Sequence, residues 1–212
     1  MTDTSLRIVT IVEGEGEVQA LPVLLRRLAT EIAPDLWVDV PRPWRVSRDS
    51  LVAESGIESE LDRAVAGLDD VTGVLVLLDA DDDCPAQLGP RLLARARGAR
   101  PDLRIVVVLA NREFEAWFLA SASSLRGCAG LAADLQEPAD PEQPRGCKEW
   151  LSKRRMDGRP YSPKKHQTSL AAQFDLHLAR MNAPSFDKFW RDIELLIQDY
   201  AGKGGGGRGR PA

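Results

Sequence analysis

The sequence predicts an α/β fold, a parallel β-sheet flanked by helices and followed by a helical C-terminal extension. Three observations predict it. The run Gly73-Val74-Leu75-Val76-Leu77-Leu78 is continuously apolar, the mark of a strand buried on both faces in a helix-covered parallel sheet. Largely apolar runs, Leu6–Val12 and Leu103–Leu109, lie before and after it. Helical patterns alternate with these strands, as right-handed crossovers require. A chain of 212 residues, 43% hydrophobic and 28% charged, suits one such core plus an extension. We divide it into an α/β domain (1–125), a loop (126–146), a basic helical extension (147–200) and a disordered Gly/Arg tail (201–212).

In chain order, Leu6–Val12 is β-branched and apolar, a strong first strand. It enters Glu13-Gly14-Glu15-Gly16-Glu17, a glycine-punctuated turn with three carboxylates. Val18, Leu21, Leu24, Leu25, Leu28 and Ile32 then recur at helical spacing, and Ala33-Pro34 ends that helix. Trp37–Val40 reads as a short strand. Pro41–Arg48 reads as a stiff basic loop in which Arg42, Arg45 and Arg48 interleave with Trp44. That pattern suits contact with a nucleic-acid backbone and a stacked base, or a proline-rich connection with Trp44 folded onto the core. Glu54–Leu68 is an amphipathic helix. After the central strand, a helix begins near Pro85 and runs to about Arg97, where Gly98 stops it. Leu103–Leu109 leads into a helix containing Trp117 and Phe118 as core residues. Residues 127–146 carry no regular pattern. Cys147–Arg155 is a short helix with a basic end, 158–167 a basic turn, and Ser169–Arg180 a helix; Ser185-Phe186-Asp187 caps a last helix reaching Tyr200.

The net charge of -4 hides an asymmetry. Residues 1–146 carry 15 Lys and Arg against 25 Asp and Glu, whereas 147–212 carry 13 against 7. An acidic site beside a basic surface is what a metal-dependent enzyme acting on a polyanion requires, and a basic solvated face alone also produces it. No apolar run approaches the ~20 residues that span a bilayer. The start has no signal-peptide pattern, so a cytoplasmic location is expected. Cys84, Cys128 and Cys147 are odd in number and lack C-x-x-C spacing, which argues against a disulfide framework or a zinc site. His166 and His177 have no second ligand at metal spacing. Three glutamates in the glycine turn oppose an anion, and G-x-G-x-x-G is absent, which argues against a nucleotide loop.

The chemistry concentrates at strand ends. Glu13 ends the first strand and Asp79 the central one, where acids of neighbouring parallel strands converge. Asp79 and Asp81 stand two apart and would point the same way in extended backbone. Asp81–Asp83 reads equally as a solvated turn capping the next helix. Oxygen ligands on rigid strands suit a hard cation. Glu113 and Glu115 form a third acidic strand end at a helix N-terminus, about 200° apart if helical, so that one of them, Glu115, faces the site.

A strand ending in Glu13-Gly14, then a helix, then a strand ending in Asp79-Ala80-Asp81, resembles the Toprim domain of topoisomerases, primases and nucleases of the overcoming-lysogenization-defect type. Val-Glu-Gly-x-Gly-Glu at 12–17, Phe-Glu-Ala-Trp-Phe-Leu-Ala at 114–120, and Tyr161 through Ser185-Phe186-Asp187 are similar to an uncharacterised bacterial Toprim-like family, often encoded beside ATPases in phage-defence neighbourhoods. The resemblance implies a Toprim-like Rossmannoid sheet and a nuclease hydrolysing phosphodiester bonds of DNA or RNA. It implies Mg2+ or Mn2+ on Asp79 and Asp81, with Glu13 as ligand or general acid/base. Glu17 and Glu115 would be further carboxylates, with Asp83 and Glu113 beside them, and Lys164 or Lys165 the basic catalytic residue. Arg42, Arg45, Arg48, Lys153, Arg154 and Arg155 would hold nucleic acid. An ATPase partner follows from the same resemblance, which leaves room for a homo-oligomer. Two other readings stay open. One is a haloacid-dehalogenase-type phosphatase with Asp79 as nucleophile, although Asp83 stands where that motif has threonine. The other is a non-catalytic Toprim-like subunit using Phe186, Phe189 and Trp190 as an interface.

Overall fold

The computed structural model describes residues 5–143 and 145–204, with side chains through 200. Five parallel strands form the sheet: β1 (Ser5–Val12), β2 (Trp37–Asp39), β3 (Trp44–Arg45), β4 (Gly73–Asp79) and β5 (Ile105–Ala110). The order is β2-β1-β4-β5, with β3 added beside the end of β1 through Ile11↔Trp44 and Val12↔Arg45. Side-chain alternation gives each face its own core. Leu6, Ile8, Val12, Leu75, Leu77, Val106 and Val108 belong to one cluster, whereas Val9, Ile11, Val74, Val76, Leu78, Val107 and Leu109 belong to the other. The predicted parallel sheet with helices on both faces is what the chain forms.

Helices α2 (Arg48–Val52), α3 (Gly56–Val65) and α4 (Pro85–Ala99) carry residues of the second cluster. The first face is covered by α1 (Glu17–Ile32) and by the C-terminal helices: α6 (Cys147–Lys153), α7 (Thr168–Ala171), α8 (Leu176–Asn182) and α9 (Pro184–Gly204). Before them comes the short α5 (Ala116–Leu119). Phe114, Trp117, Phe118, Phe174, Phe186 and Phe189 interlock with ring centroids 4.9 to 5.6 Å apart. Tilted and edge-on aromatic pairs of this kind add about 0.5–1.5 kcal/mol each beyond burial. Phe186 and Phe189 are fully buried and Trp190 nearly so, so these residues fill the chain's own core and form no open interface.

Several expectations are corrected. Pro41–Arg48 is not a loop throughout: Trp44 and Arg45 pair with β1, and the Val46 amide donates to the Val12 carbonyl. Gly98 does not stop α4, which runs through it to Ala99; nothing crowds that position and one glycine costs a helix only about 1 kcal/mol. The expected helix 169–180 breaks into α7 and α8, because the Asp175 carboxylate caps α8 by accepting from the Leu178 amide. Ser185 lies inside α9, where its hydroxyl accepts from the Asn111 amide and the Trp117 indole. α9 continues past Tyr200 to Gly204, and the rest of the predicted tail, from 205, lies outside the described residues. Among the described residues no helix is long and apolar enough to cross a membrane.

Candidate functional site

Glu13 follows β1, Asp79 ends β4, and Glu113 and Glu115 follow β5, so the acids stand at the C-terminal ends of adjacent parallel strands, where such sheets place ligands. Asp79 continues the alternation of Leu75 and Leu77 and so lies on the α1 face; its Oδ1 accepts the Phe114 amide at 2.7 Å. Glu17, the first residue of α1, accepts the Gly14 amide at 2.8 Å. A Cβ at Gly14 would press into the Glu17 carboxylate, and one at Gly16 would overlap the Gln167 side-chain oxygen. These two glycines let the turn close onto the site.

Glu115 is 1% exposed. Its Oε1 accepts from the Tyr161 hydroxyl at 3.1 Å and the Gln167 amide at 3.4 Å, and Lys148 Nζ stands 3.4 Å from its Oε2. The same ammonium lies 3.1 Å from Glu113 Oε2, while Glu113 Oε1 accepts the Gly146 amide at 3.1 Å. Both glutamates therefore face Lys148, against the expectation that only one would turn inward. The helix begins at Ala116, so the 3.6-residue geometry behind that expectation does not apply to 113–115.

Electrostatics follow from this crowding. Burial, then the Glu17 and Glu115 charges, lift the Asp79 carboxyl well above its usual range. Burial also raises Glu17 and Glu115, and it raises Glu13, whose neighbours Asp81 and Glu17 push the same way. For Lys148, burial opposes the charge, but Glu115, Asp79 and Glu113 outweigh it and hold the ammonium more firmly protonated than an ordinary lysine. Burial and then Glu115 push the Tyr161 hydroxyl up. The Cys147 thiol is pushed up to about 12 by burial and the adjacent Glu113 and Glu115, so it is no nucleophile at neutral pH. Cys84, Cys128 and Cys147 form no disulfide.

Asp81 does not join Asp79. Its backbone is left-handed, φ 49°, its amide donates to the Arg112 carbonyl, and its side chain lies 3.8 Å from Arg48 Nε. Arg48 also pairs with Asp83, and Asp82 pairs with Arg112 and Arg145. The strand ends at Asp79, so two-residue alternation no longer directs Asp81. The result is two tiers. Glu17 and Glu115 are buried and Asp79 is half-buried around Lys148, while Asp81–Asp83 are exposed and arginine-paired, with half-buried Glu13 between them. A cleft of about 380 Å³ opens among Asp81, Asp82, Arg112, Glu113 and Arg145.

The other candidates are spread out. Lys164 pairs with Glu15 at 2.7 Å on the surface, and Lys165 is exposed; the lysine among the buried carboxylates is Lys148. Arg42 and Arg45 are exposed, and Arg48 is committed to the acidic turn. Lys153 is exposed, Arg154 stacks 3.7 Å from the Trp150 ring centre, and Arg155 is turned inward onto Asp157 and the Ala129 and Arg159 carbonyls. His166 Nδ1 accepts the Ser162 amide, and His177 lies 3.4 Å from Glu31. Sequence reasoning missed Lys148, Gln167, Arg112 and Arg145. Arg112, two residues past a buried strand, carried a usable signal; Lys148, 35 positions from Glu113, carried none.

The donor set fits a hard divalent cation chemically. It is all oxygen, and Glu13 Oε2 and Glu115 Oε2 are buried without hydrogen-bond partners. Among the described residues, no three His, Cys, Asp or Glu side chains are gathered closely enough to hold a metal together. The donors therefore fit by type and not by placement: Glu13, Glu17 and Asp79 would supply ligands only if drawn together, and Asp81 is turned away onto Arg48.

Tyr161→Phe should cost about 1–3 kcal/mol, the usual consequence of leaving a buried acceptor short of a partner. Urea unfolding should show a lowered midpoint with unchanged slope.

A family model described as a domain of unknown function, DUF4276, matches residues 12–194. No curated protein and no solved structure matches.

Proposed function

Since the chain belongs to the DUF4276 family, whose description names no activity, we propose its function from the site itself: divalent-metal-dependent hydrolysis of phosphodiester bonds in nucleic acid, on a sheet of the Toprim type. The observation that carries this reading is the excess of carboxylates at three adjacent strand ends, lifted by burial and mutual repulsion and incompletely offset by Lys148 and Arg48. A divalent cation would relieve that charge, and arginines at the cleft rim would meet a polyanion.

Asp79, Glu13 and Glu17 would hold Mg2+ or Mn2+, drawn together by the ion, with Asp81 left on Arg48. Bound there, the ion supplies charge neutralisation at the phosphoryl oxygens and a more acidic water. Glu13 Oε2, without a partner and already raised in pKa, accepts the proton of the attacking water. Lys148 Nζ keeps Glu113 and Glu115 from repelling the incoming phosphate. Arg112 and Arg145 exchange Asp82 for phosphate oxygens. The Toprim resemblance adds an ATPase partner in a phage-defence setting. The phosphatase alternative is weaker, because Asp79 Oδ1 is engaged by the Phe114 amide and Asp83 stands where that motif has threonine.

The second reading, a non-catalytic Toprim-like subunit, is favoured by one observation. Lys148 already supplies a cation among these carboxylates, and no three of them form a ready cage.

The test is incubation with plasmid DNA, single-stranded DNA and tRNA, with Mg2+, Mn2+ or chelator, beside Asp79→Asn and Glu13→Gln. Metal-dependent cleavage lost in both variants is expected. Intact substrates, together with no metal-induced rise in melting temperature, would leave the scaffold reading standing.

A further inference from the structure

The cleft at the ends of β4 and β5 is filled by one of the chain's own carboxylates, and its meaning rests on the nucleic-acid reading. We propose that Asp82 is a tethered stand-in for a substrate phosphate, which restricts the site to polynucleotide strands by keeping out free phosphate and mononucleotides.

Two guanidiniums meet on one carboxylate oxygen. Arg112 Nη1 lies 3.3 Å from Asp82 Oδ1, and Arg145 reaches the same oxygen, within a cleft of about 380 Å³. Guanidinium forks converging on one oxygen are suited to a phosphate. The other acids of the lining have cations of their own. Lys148 stands 3.1 Å from Glu113, and Arg48 stands 3.8 Å from Asp81. Asp82 is therefore what competes with an incoming anion for the two arginines.

Neighbours hold this carboxylate in place, since its side chain is 68% exposed. The Asp81 amide donates to the Arg112 carbonyl at 3.1 Å, Arg112 Nη1 donates to the Asp81 carbonyl at 3.0 Å, and Asp83 pairs with Arg48. A tethered group competes as if present at about millimolar concentration. A phosphate free in solution has no such advantage. A strand does, because each phosphate already bound tethers the next. Exposed ion pairs are individually weak, so a strand displaces Asp82 where a mononucleotide fails.

Binding is measured with the full chain in chelator, by fluorescence anisotropy of labelled strands of increasing length. Inorganic phosphate and a nucleoside monophosphate serve as competitors at constant ionic strength. The unaltered protein should bind strands, and neither competitor should displace them at about 1 mM. Asp82→Asn should bind strands about tenfold tighter, the scale set by two exposed ion pairs, and should let both competitors act at about 1 mM. A gain of affinity cannot come from misfolding. Asp69 is exposed and precedes β4, at the opposite end of the sheet. Asp69→Asn makes the same change of charge there and should alter affinity by less than about twofold. In an Arg145→Ala background the gain from Asp82→Asn should fall to about threefold or less, because the two residues share one contact. An equal gain in Asp69→Asn, a gain undiminished by Arg145→Ala, displacement of strands from the unaltered protein by phosphate at about 1 mM, or no strand binding by either protein would each overturn the role of Asp82. The expected binding pattern without cleavage on adding metal would sink the hydrolase reading alone. Metal-dependent cleavage with binding indifferent to Asp82→Asn would sink the stand-in alone.

Discussion

Asp79→Asn should melt a few degrees higher than the unaltered protein in chelator at neutral pH and lose metal-dependent cleavage. Asp79 sits among Glu17 and Glu115 with its carboxyl raised by burial and by those charges. An acid raised in the folded state binds more protons folded than unfolded, so its ionisation destabilises the fold. Stability should therefore be greatest in mild acid. It should fall as pH rises from the ordinary carboxylate range through the raised values of Asp79, Glu13, Glu17 and Glu115. Asparagine keeps the acceptor for the Phe114 amide and removes one charge, so the fall should be shallower. For a chain of this size about 1 kcal/mol corresponds to roughly 2–4 °C. Activity should drop by more than the ~10–100-fold seen when a group one step from a metal is lost. Thermal melts from pH 5 to 8 in chelator check the first half. An unaltered protein that grows steadily more stable toward pH 8, with Asp79→Asn melting lower, would refute the charge balance. Excess Mg2+ should stabilise the unaltered protein, by about 2.7 kcal/mol at a hundredfold excess over Kd, and leave Asp79→Asn unmoved.

Lys148→Met should be the most destabilising single substitution in the site. Its ammonium lies within 3.1 Å of Glu113 and 3.4 Å of Glu115, the latter 1% exposed. Removing one partner of a fully buried pair costs about 3–5 kcal/mol. Because the Lys148 side chain is 39% exposed, solvent screening reduces the expected loss to about 2–3 kcal/mol. That is roughly 4–12 °C in melting temperature. The deficit should shrink as pH falls and Glu115 and Asp79 take up protons, because the unneutralised charge is what costs. The variant should also gain more from Mg2+ than the unaltered protein, since the ion replaces a missing cation. A deficit constant from pH 5 to 8 and indifferent to Mg2+ would mean that Lys148 acts through packing of its stem.

The sequence by itself determined the layers and the address of the chemistry. The apolar run Gly73–Leu78 and the largely apolar runs Leu6–Val12 and Leu103–Leu109, each broken by an arginine, are a local pattern, and each supplied a buried parallel strand. Acids after those runs had to gather at one edge, because parallel strands put all their C-terminal ends on the same side. Buried Trp117 and Phe118 were legible for the same reason, since apolar spacing reports burial directly.

Tertiary structure alone decided which acids meet and which cation meets them. Strand alternation linked Asp79 to Asp81, yet a left-handed residue just past the strand end sent them to different tiers. Helical spacing separated Glu113 from Glu115, yet the Asn111–Glu115 turn is not helical, and the Phe114–Trp117–Phe186 packing sets its path. Lys148, Tyr161 and Gln167 reach Glu115 from 33 to 52 positions away. Periodicity reports neighbours up to one helical turn or one strand repeat apart. The aromatic packing that carries distant side chains onto one carboxylate is a property of the whole core, and no local window contains it.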